Sequence, residues 1–186
     1  MEVKGLIFFM KKLIIVIITI IVACLVYINV NADEIVIPDA AIRVRVIANS
    51  NTIEDQSMKM KVKEYIDNYL SVQMVDIDSV DEARDIISGE LNNINYEIRE
   101  IFDNNNYDKD FVVHFGDNYF PDKEYKGITY RSGSYESLVI SIGEGNGDNW
   151  WCVLFPPLCL LEASENEVDD VEYQFFVTKM LDKIFS

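Results

Sequence analysis

Histidine is almost absent from this chain: His114 is the single one among 186 residues. With one imidazole and no second close cysteine pair, no zinc site can be assembled, and neither a metal nor a cofactor is expected. Cysteine is nearly as scarce, with Cys24, Cys152 and Cys159 only. Positive charge is short as well, 16 Lys and Arg against 32 Asp and Glu, for a net charge of −16. That balance disfavours nucleic acid and anionic lipid as partners of the folded part. No internal repeat or low-complexity segment stands out. The few glycines near position 145 are followed by a strand pattern rather than a helix, and no Gly-Lys-Ser/Thr follows them, which excludes a dinucleotide fingerprint and a P-loop.

What is present is apolar mass. A hydrophobic content of 49% with 12% aromatics is incompatible with disorder and suits one domain plus a leader. The densest block is Trp150-Trp151-Cys152-Val153-Leu154-Phe155-Pro156-Pro157-Leu158-Cys159-Leu160, holding both tryptophans and two of the four prolines. The diproline stops any regular element, so the block reads as a buried strand ending in a corner, at the centre of the core.

The longest apolar run, residues 13–28, follows Lys11-Lys12 and precedes a Val30-x-Ala32 site. A positive n-region, an apolar h-region and small residues at −3 and −1 form an export signal. The run spans only about 24 Å as a helix, short of the ~30 Å hydrocarbon core. Snorkelling lysines could still let it serve as an uncleaved anchor, and both outcomes place the domain outside the cytoplasm. The expected organisation is therefore a signal peptide or signal anchor over 1–32, a linker over 33–41, and a single domain over 42–186, taken as a monomer touching the membrane only through its N-terminal segment. Export leaves Cys152 and Cys159 as an even pair. A disulfide between them would contribute about 2.5 kcal/mol on the chain-entropy argument; two reduced core thiols are the alternative.

Periodicity orders the domain. Residues 42–48 alternate as a strand, with Ile42, Val44 and Val46 on one face and Arg43 and Arg45 on the other. Thr52 with Asp55 fits a capping box for a helix over about 53–70, its apolar face carrying Met58, Val62, Tyr65, Ile66 and Tyr69. Lys59, Lys61 and Lys63 on it read as a solvated face, or else as a contact for an acidic partner. Ser79 caps a second helical stretch with Ala83, Ile87, Leu91, Ile94, Ile98, Ile101 and Phe102 inward, kinked or split at Gly89. Residues 103–106 end it as a turn. Strands follow at 111–115, closed by a Gly116-Asp117-Asn118 turn, at 134–142, and at Trp150. An irregular edge segment lies around Phe120-Pro121, and residues 143–149 form a hairpin loop between the last two strands. A helix with Val171, Phe175, Met180, Leu181 and Ile184 inward closes the chain. The fold class is α+β: a mainly antiparallel sheet of about four to five strands against two to four helices.

Reactive groups are thin. A Cys152–His114 pair is conceivable, but a thiol behind two tryptophans stays protonated. Glu144 with Asp148 is one of countless carboxylate pairings. Trp150 and Trp151 point to opposite faces, so one enters the core and the other is exposed to a partner, unless a second layer covers both. No catalytic residues are assigned.

Residues 42–51 with Glu54-Asp55-Gln56, Phe120-Pro121 with Lys123 and Tyr125, Tyr135-Glu136, and the block over 142–159 together resemble the stage II sporulation protein R family of endospore-forming bacteria. The chain departs from that family's usual residues at Arg131 and Val139. The resemblance implies a non-enzymatic signal secreted from the forespore into the intermembrane space, or membrane-anchored facing it. There the family triggers a membrane-embedded aspartic protease, SpoIIGA, which cleaves pro-sigma-E in the mother cell. The candidate contact residues are Arg43, Arg45, Glu144, Asn149, Trp150 and Trp151. The alternatives are an exported cell-envelope hydrolase and a structural envelope protein.

Overall fold

A computed structural model describes residues 10–21, 35–38, 40–125, 128–159 and 170–185, in two units covering 1–34 and 35–186. In the first, residues 10–21 form helix α1. No helix among the described residues is long and apolar enough to cross a membrane. The Val30-x-Ala32 site and Cys24 lie outside the described residues.

The second unit runs β1 (Ile35–Val36), β2 (Ile42–Ile47), α2 (Ile53–Ile66), α3 (Val80–Asn104), β3 (Phe111–Phe120), β4 (Lys123–Tyr125), β5 (Ile128–Tyr130), β6 (Gly133–Ile142), β7 (Asn149–Phe155) and α4 (Asp170–Phe185). The main sheet has the order β3-β6-β2-β7, and a small one the order β1-β5-β4. In the main sheet β3–β6 and β2–β7 are antiparallel and β2–β6 is parallel. The class is α+β, as the alternating patterns predict.

Period-two alternation along β2 splits two cores. Ile42, Val44 and Val46 face a large cluster with Met58, Val62, Ile87, Ile94 and Phe102 from α2 and α3. The opposite face meets a smaller cluster of Ile37, Ile128, Tyr130, Val153, Leu158 and Val177, with Met180 and Leu181 of α4 against it. The sheet is thus covered on both sides. The tryptophan block feeds both clusters, Leu154 and Phe155 into one, Val153 and Leu158 into the other. It does so from β7, an edge strand in the sheet order rather than a central one.

Local chemistry accounts for the helices. The Thr52 side chain accepts a hydrogen bond from the Asp55 amide at 3.3 Å, satisfying one of the orphan donors of the first turn of α2. Beyond Ile66 the helix continues through one π-type turn, Asp67–Ser71. α3 buries Ala83, Ile87, Ile94, Ile98 and Phe102, the i, i+4 and i, i+7 spacing of one helical face. Gly89 neither splits nor ends it: the 25 residues form one helix, because burial on both sides of the glycine outweighs its propensity penalty of about 1 kcal/mol. A Cβ at Gly89 would meet nothing within 4 Å. Gly89→Ala is therefore expected to stabilise the domain by about 0.5–1 kcal/mol, read as a rise of about 2–4 °C in melting temperature.

Three other expectations are corrected. Gly116-Asp117-Asn118 is no turn: β3 runs on to Phe120, pairing with β6 from Phe111↔Ile142 to Phe120↔Gly133. Asn118 Nδ2 donates instead to the Gly116 carbonyl and to Ser137 Oγ, at 2.9 and 3.0 Å. Residues 33–41 are not all linker, since β1 pairs in parallel with β5 and Ile37 and Ala41 are buried. Finally, β6 and β7 do not form a hairpin; β2 lies between them.

Candidate functional site

That last correction explains the glycines. The chain leaving β6 must pass over the C-terminal end of β2 to reach β7, and there it meets the turn that carries β2 into α2. Two backbones cross at contact distance. Gly147 N donates to the Ala48 carbonyl at 2.9 Å, Asn146 N to the Asn49 carbonyl at 3.1 Å, and Gly143 N to the Asp110 carbonyl at 2.7 Å. A Cβ on Gly147 would lie 2.6 Å from the Ser50 carbonyl carbon and overlap its oxygen. Gly143 and Gly145 have φ of 55° and 64°, a region that L side chains rarely adopt.

Side chains complete the clamp. Asn49 Oδ1 accepts from the Glu144 amide at 3.1 Å and Asn51 Oδ1 from the Asp148 amide at 2.6 Å. Gln56 Nε2 reaches the Ser50 carbonyl at 2.9 Å and the Asp148 carbonyl at 3.4 Å. Lys59 Nζ binds the same Asp148 carbonyl at 3.2 Å and Gln56 Oε1 at 2.6 Å. Beneath them sits Asp55, buried. Its carboxylate accepts from Asn49 Nδ2 at 2.8 Å, Ser50 Oγ at 2.5 Å and Tyr107 Oη at 2.5 Å. Burial alone would raise its pKa, but the hydrogen bonds from Ser50, Tyr107 and Asn49 outweigh it and hold the carboxyl at about 2. A carboxylate so committed is a poor base, so its part is to lock the loop.

The expectation of a solvated lysine face holds for Lys61, which is exposed, and is corrected for Lys59. Lys59 is buried. Lys61 donates to Asn105 Oδ1. Lys63 pairs with Asp67 at 2.6 Å and stands 5.3 Å from the Trp150 ring centroid. Burial pushes the Asp67 carboxyl above its ordinary range, and Lys63 pulls it partly back.

The residues singled out from the sequence are divided by the sheet. Trp150 packs against the larger core and Trp151 against the smaller, so the second layer does cover both faces, leaving each ring half-buried. Glu144 and Asn149 are exposed on the clamped loop and at its exit. Arg43 is corrected as a surface contact: it is 0% exposed. Its guanidinium carbon lies 3.4 Å from the Tyr135 ring centroid, with Phe120, Trp151 and Tyr130 at 5.1, 5.8 and 5.9 Å. This is a cation–π box that ties β2 to β5 and β6. Arg45 is half-buried, 5.7 Å from the Phe120 ring, with Nη1 at 3.5 Å from the Tyr119 carbonyl.

Cys152 and Cys159 are both buried. Their Sγ atoms point at one carbonyl oxygen, that of Val153, at 3.7 and 3.0 Å. The Cys152–His114 pairing fails on topology. His114 is exposed on β3, and β3 and β7 are opposite edges of the sheet, three strand spacings or about 14 Å apart. Among the described residues no group of three His, Cys, Asp or Glu is placed to hold a metal ion.

Sequence reasoning missed Tyr107, which arrives from the turn after α3, 52 positions from the Asp55 it binds. It also missed the crossing over β2 that makes Gly147 obligatory. Only the spacing of three glycines with Asn146, Asp148 and Asn149 hinted at a tightly seated loop.

The geometry therefore defines a class first: a two-cored α+β domain whose most elaborate feature is a rigid, clamped loop with no nucleophile–base pair on it. The profile described as stage II sporulation protein R matches residues 38–165, and the chain belongs to that family. The stage II sporulation protein R of Bacillus subtilis (strain 168) is 38% identical over 135 residues, which cover 73% of this chain and 60% of that protein. No solved structure matches.

Proposed function

We propose that this chain is a non-enzymatic sporulation signal, exported from the forespore by its N-terminal segment. It would activate a membrane-embedded aspartic protease of the SpoIIGA type, so that pro-sigma-E is processed in the mother cell. Family membership supplies the sporulation context. The observation that carries the non-enzymatic part is the state of Asp55: the one buried carboxylate at the clamped loop is saturated with donors and held at about 2. Binding by a preformed surface fits such a site, because a rigid loop loses little conformational entropy on docking.

The test is co-expression of the exported chain, the protease and pro-sigma-E in a host that does not sporulate. Processing is expected only when all three are present, and it is expected to survive Cys152→Ser and His114→Ala. Processing without this chain would overturn the reading. So would turnover of a substrate by the pure protein alone.

A further inference from the structure

The two cysteines of the domain converge although a corner separates them. Six residues lie between Cys152 and Cys159, Pro156-Pro157 among them. Alternation along β7 sends Cys152 and Leu154 into the larger core and Val153 into the smaller. Past the strand the chain reverses, and Leu158 N donates to the Pro156 carbonyl at 2.7 Å. Leu158 joins Val153 in the smaller core, whereas Cys159 returns to the larger one, where Cys152 already lies. Both Sγ atoms then approach a single atom, the Val153 carbonyl oxygen, at 3.7 and 3.0 Å.

A tie at this point has structural work to do. β7 is an edge of the main sheet, and among the described residues it is bonded to β2 alone. The β2–β7 register shifts between Ile42 and Arg43, at the end of the strand. Neither proline of the corner has a backbone N–H to donate.

We infer that Cys152 and Cys159 are a modification site, joined by a disulfide that ties the end of β7 to the segment beyond the corner. Rotation about the two Cα–Cβ bonds brings sulfurs that flank one oxygen into bonding range. The co-reactant is a protein or small-molecule disulfide outside the cytoplasm. One cysteine thiolate attacks it, forming a mixed disulfide and expelling a thiolate. The second cysteine attacks the mixed disulfide at the sulfur of the first and expels the other half. Two electrons and the two cysteine protons pass to the oxidant, which leaves as two thiols. Buried sulfurs are out of an oxidant's reach, so the exchange takes place before β7 and its corner are seated. The oxidising compartment rests on the export part of the proposed function; the capacity of the pair to close does not.

The experiment recovers the full chain from the co-expression host, denatures it in N-ethylmaleimide without reductant and digests it with trypsin. No Lys or Arg lies between Arg131 and Lys179, so both cysteines fall on one peptide. That peptide is expected unlabelled and lighter by two hydrogens, taking up two labels only after reduction. Two labels before reduction, or a link to Cys24 or to a second chain, overturns the disulfide and leaves the proposed function standing if processing occurs. A chain retained in the cytosol sinks export instead; the reduced full chain refolded with reduced and oxidised glutathione then decides the pair by the same peptide. Stability supplies a second readout. Reductant should lower the melting temperature of the parent by about 5–10 °C, the effect of opening a short loop in a domain of this size, and leave Cys152→Ala unmoved. A shift of that size leaves the domain folded, so processing still survives Cys152→Ser. Cys159→Ala should add almost nothing to Cys152→Ala; additive losses from the two substitutions would overturn the bond.

Discussion

Gly147→Ala is expected to destabilise the domain by about 3 kcal/mol, the upper end of the range for forcing atoms into a filled site. The added methyl would overlap the Ser50 carbonyl oxygen and sit 2.6 Å from its carbon and 2.9 Å from Ala48 Cβ. The first two are backbone atoms, so no rotamer change can make room. Either residues 143–149 lift from the β2–α2 turn, losing the bonds to Ala48, Asn49 and Asn51, or the turn itself moves and Asp55 loses Ser50. Gly143→Ala should cost somewhat less, since its Cβ meets a side chain, Asn49, rather than backbone; turning Asn49 away still gives up its bonds to the Glu144 amide and Asp55, and at φ 55° the alanine also carries left-handed strain of about 1 kcal/mol. Gly145→Ala meets only Ser141 Oγ and Ile47 Cγ2 and should be the mildest. Urea midpoints for the three variants measure the order. A wild-type midpoint for Gly147→Ala would mean that the loop is not seated on the turn.

The same crossing shows how far the sequence alone could reach. Period-two and helical patterns located β2, α2, β6 and α3, because each of these buries one face and hydrophobicity records burial directly. Strand order is a different kind of information. The inference of a β6–β7 hairpin followed from a short glycine-rich connection, yet β2 can enter between two strands whose linking loop is long enough to pass over its end. Nothing in residues 143–149 distinguishes those cases until the partner turn, about 95 positions away, is known. The reading of Arg43 failed for a related reason. Alternation correctly set its side chain opposite to Val44, but a polar residue on the second face was taken as solvated. The aromatic rings that enclose it come from β3, β5, β6 and β7, and only tertiary structure gathers them. The lysines of α2 repeat the point: charge marks a surface residue unless other elements supply partners, and here the carbonyl of Asp148 does so for Lys59.

Asp55 provides the second large effect, and it is pH-dependent. Asp55→Ala removes the acceptor for Asn49, Ser50 and Tyr107 at once, leaving a buried phenol without that bond. Such losses are expected to total about 3 kcal/mol at pH 7. Acid should do part of the same work in the wild-type chain. The Asp55 carboxyl is held at about 2 against an ordinary 3.8; a folded-state value below the unfolded one stabilises at pH above the unfolded value and loses that contribution as pH falls through the folded one. Between pH 5 and pH 2 the wild type should thus lose about 2 kcal/mol through this one group. Many other carboxylates titrate in that range, so the informative quantity is the difference in stability between wild type and Asp55→Asn, measured by urea unfolding at each pH. It should be largest at pH 6 and shrink steadily below pH 4, because protonation gives the wild-type side chain the same neutral charge as the amide. Tyr107→Phe breaks the network from the opposite side and is expected to reduce that pH-dependent difference. A gap between wild type and Asp55→Asn that stays constant from pH 6 to pH 2 would show that Asp55 is not ionised in the folded protein, and the clamp would then need a different account.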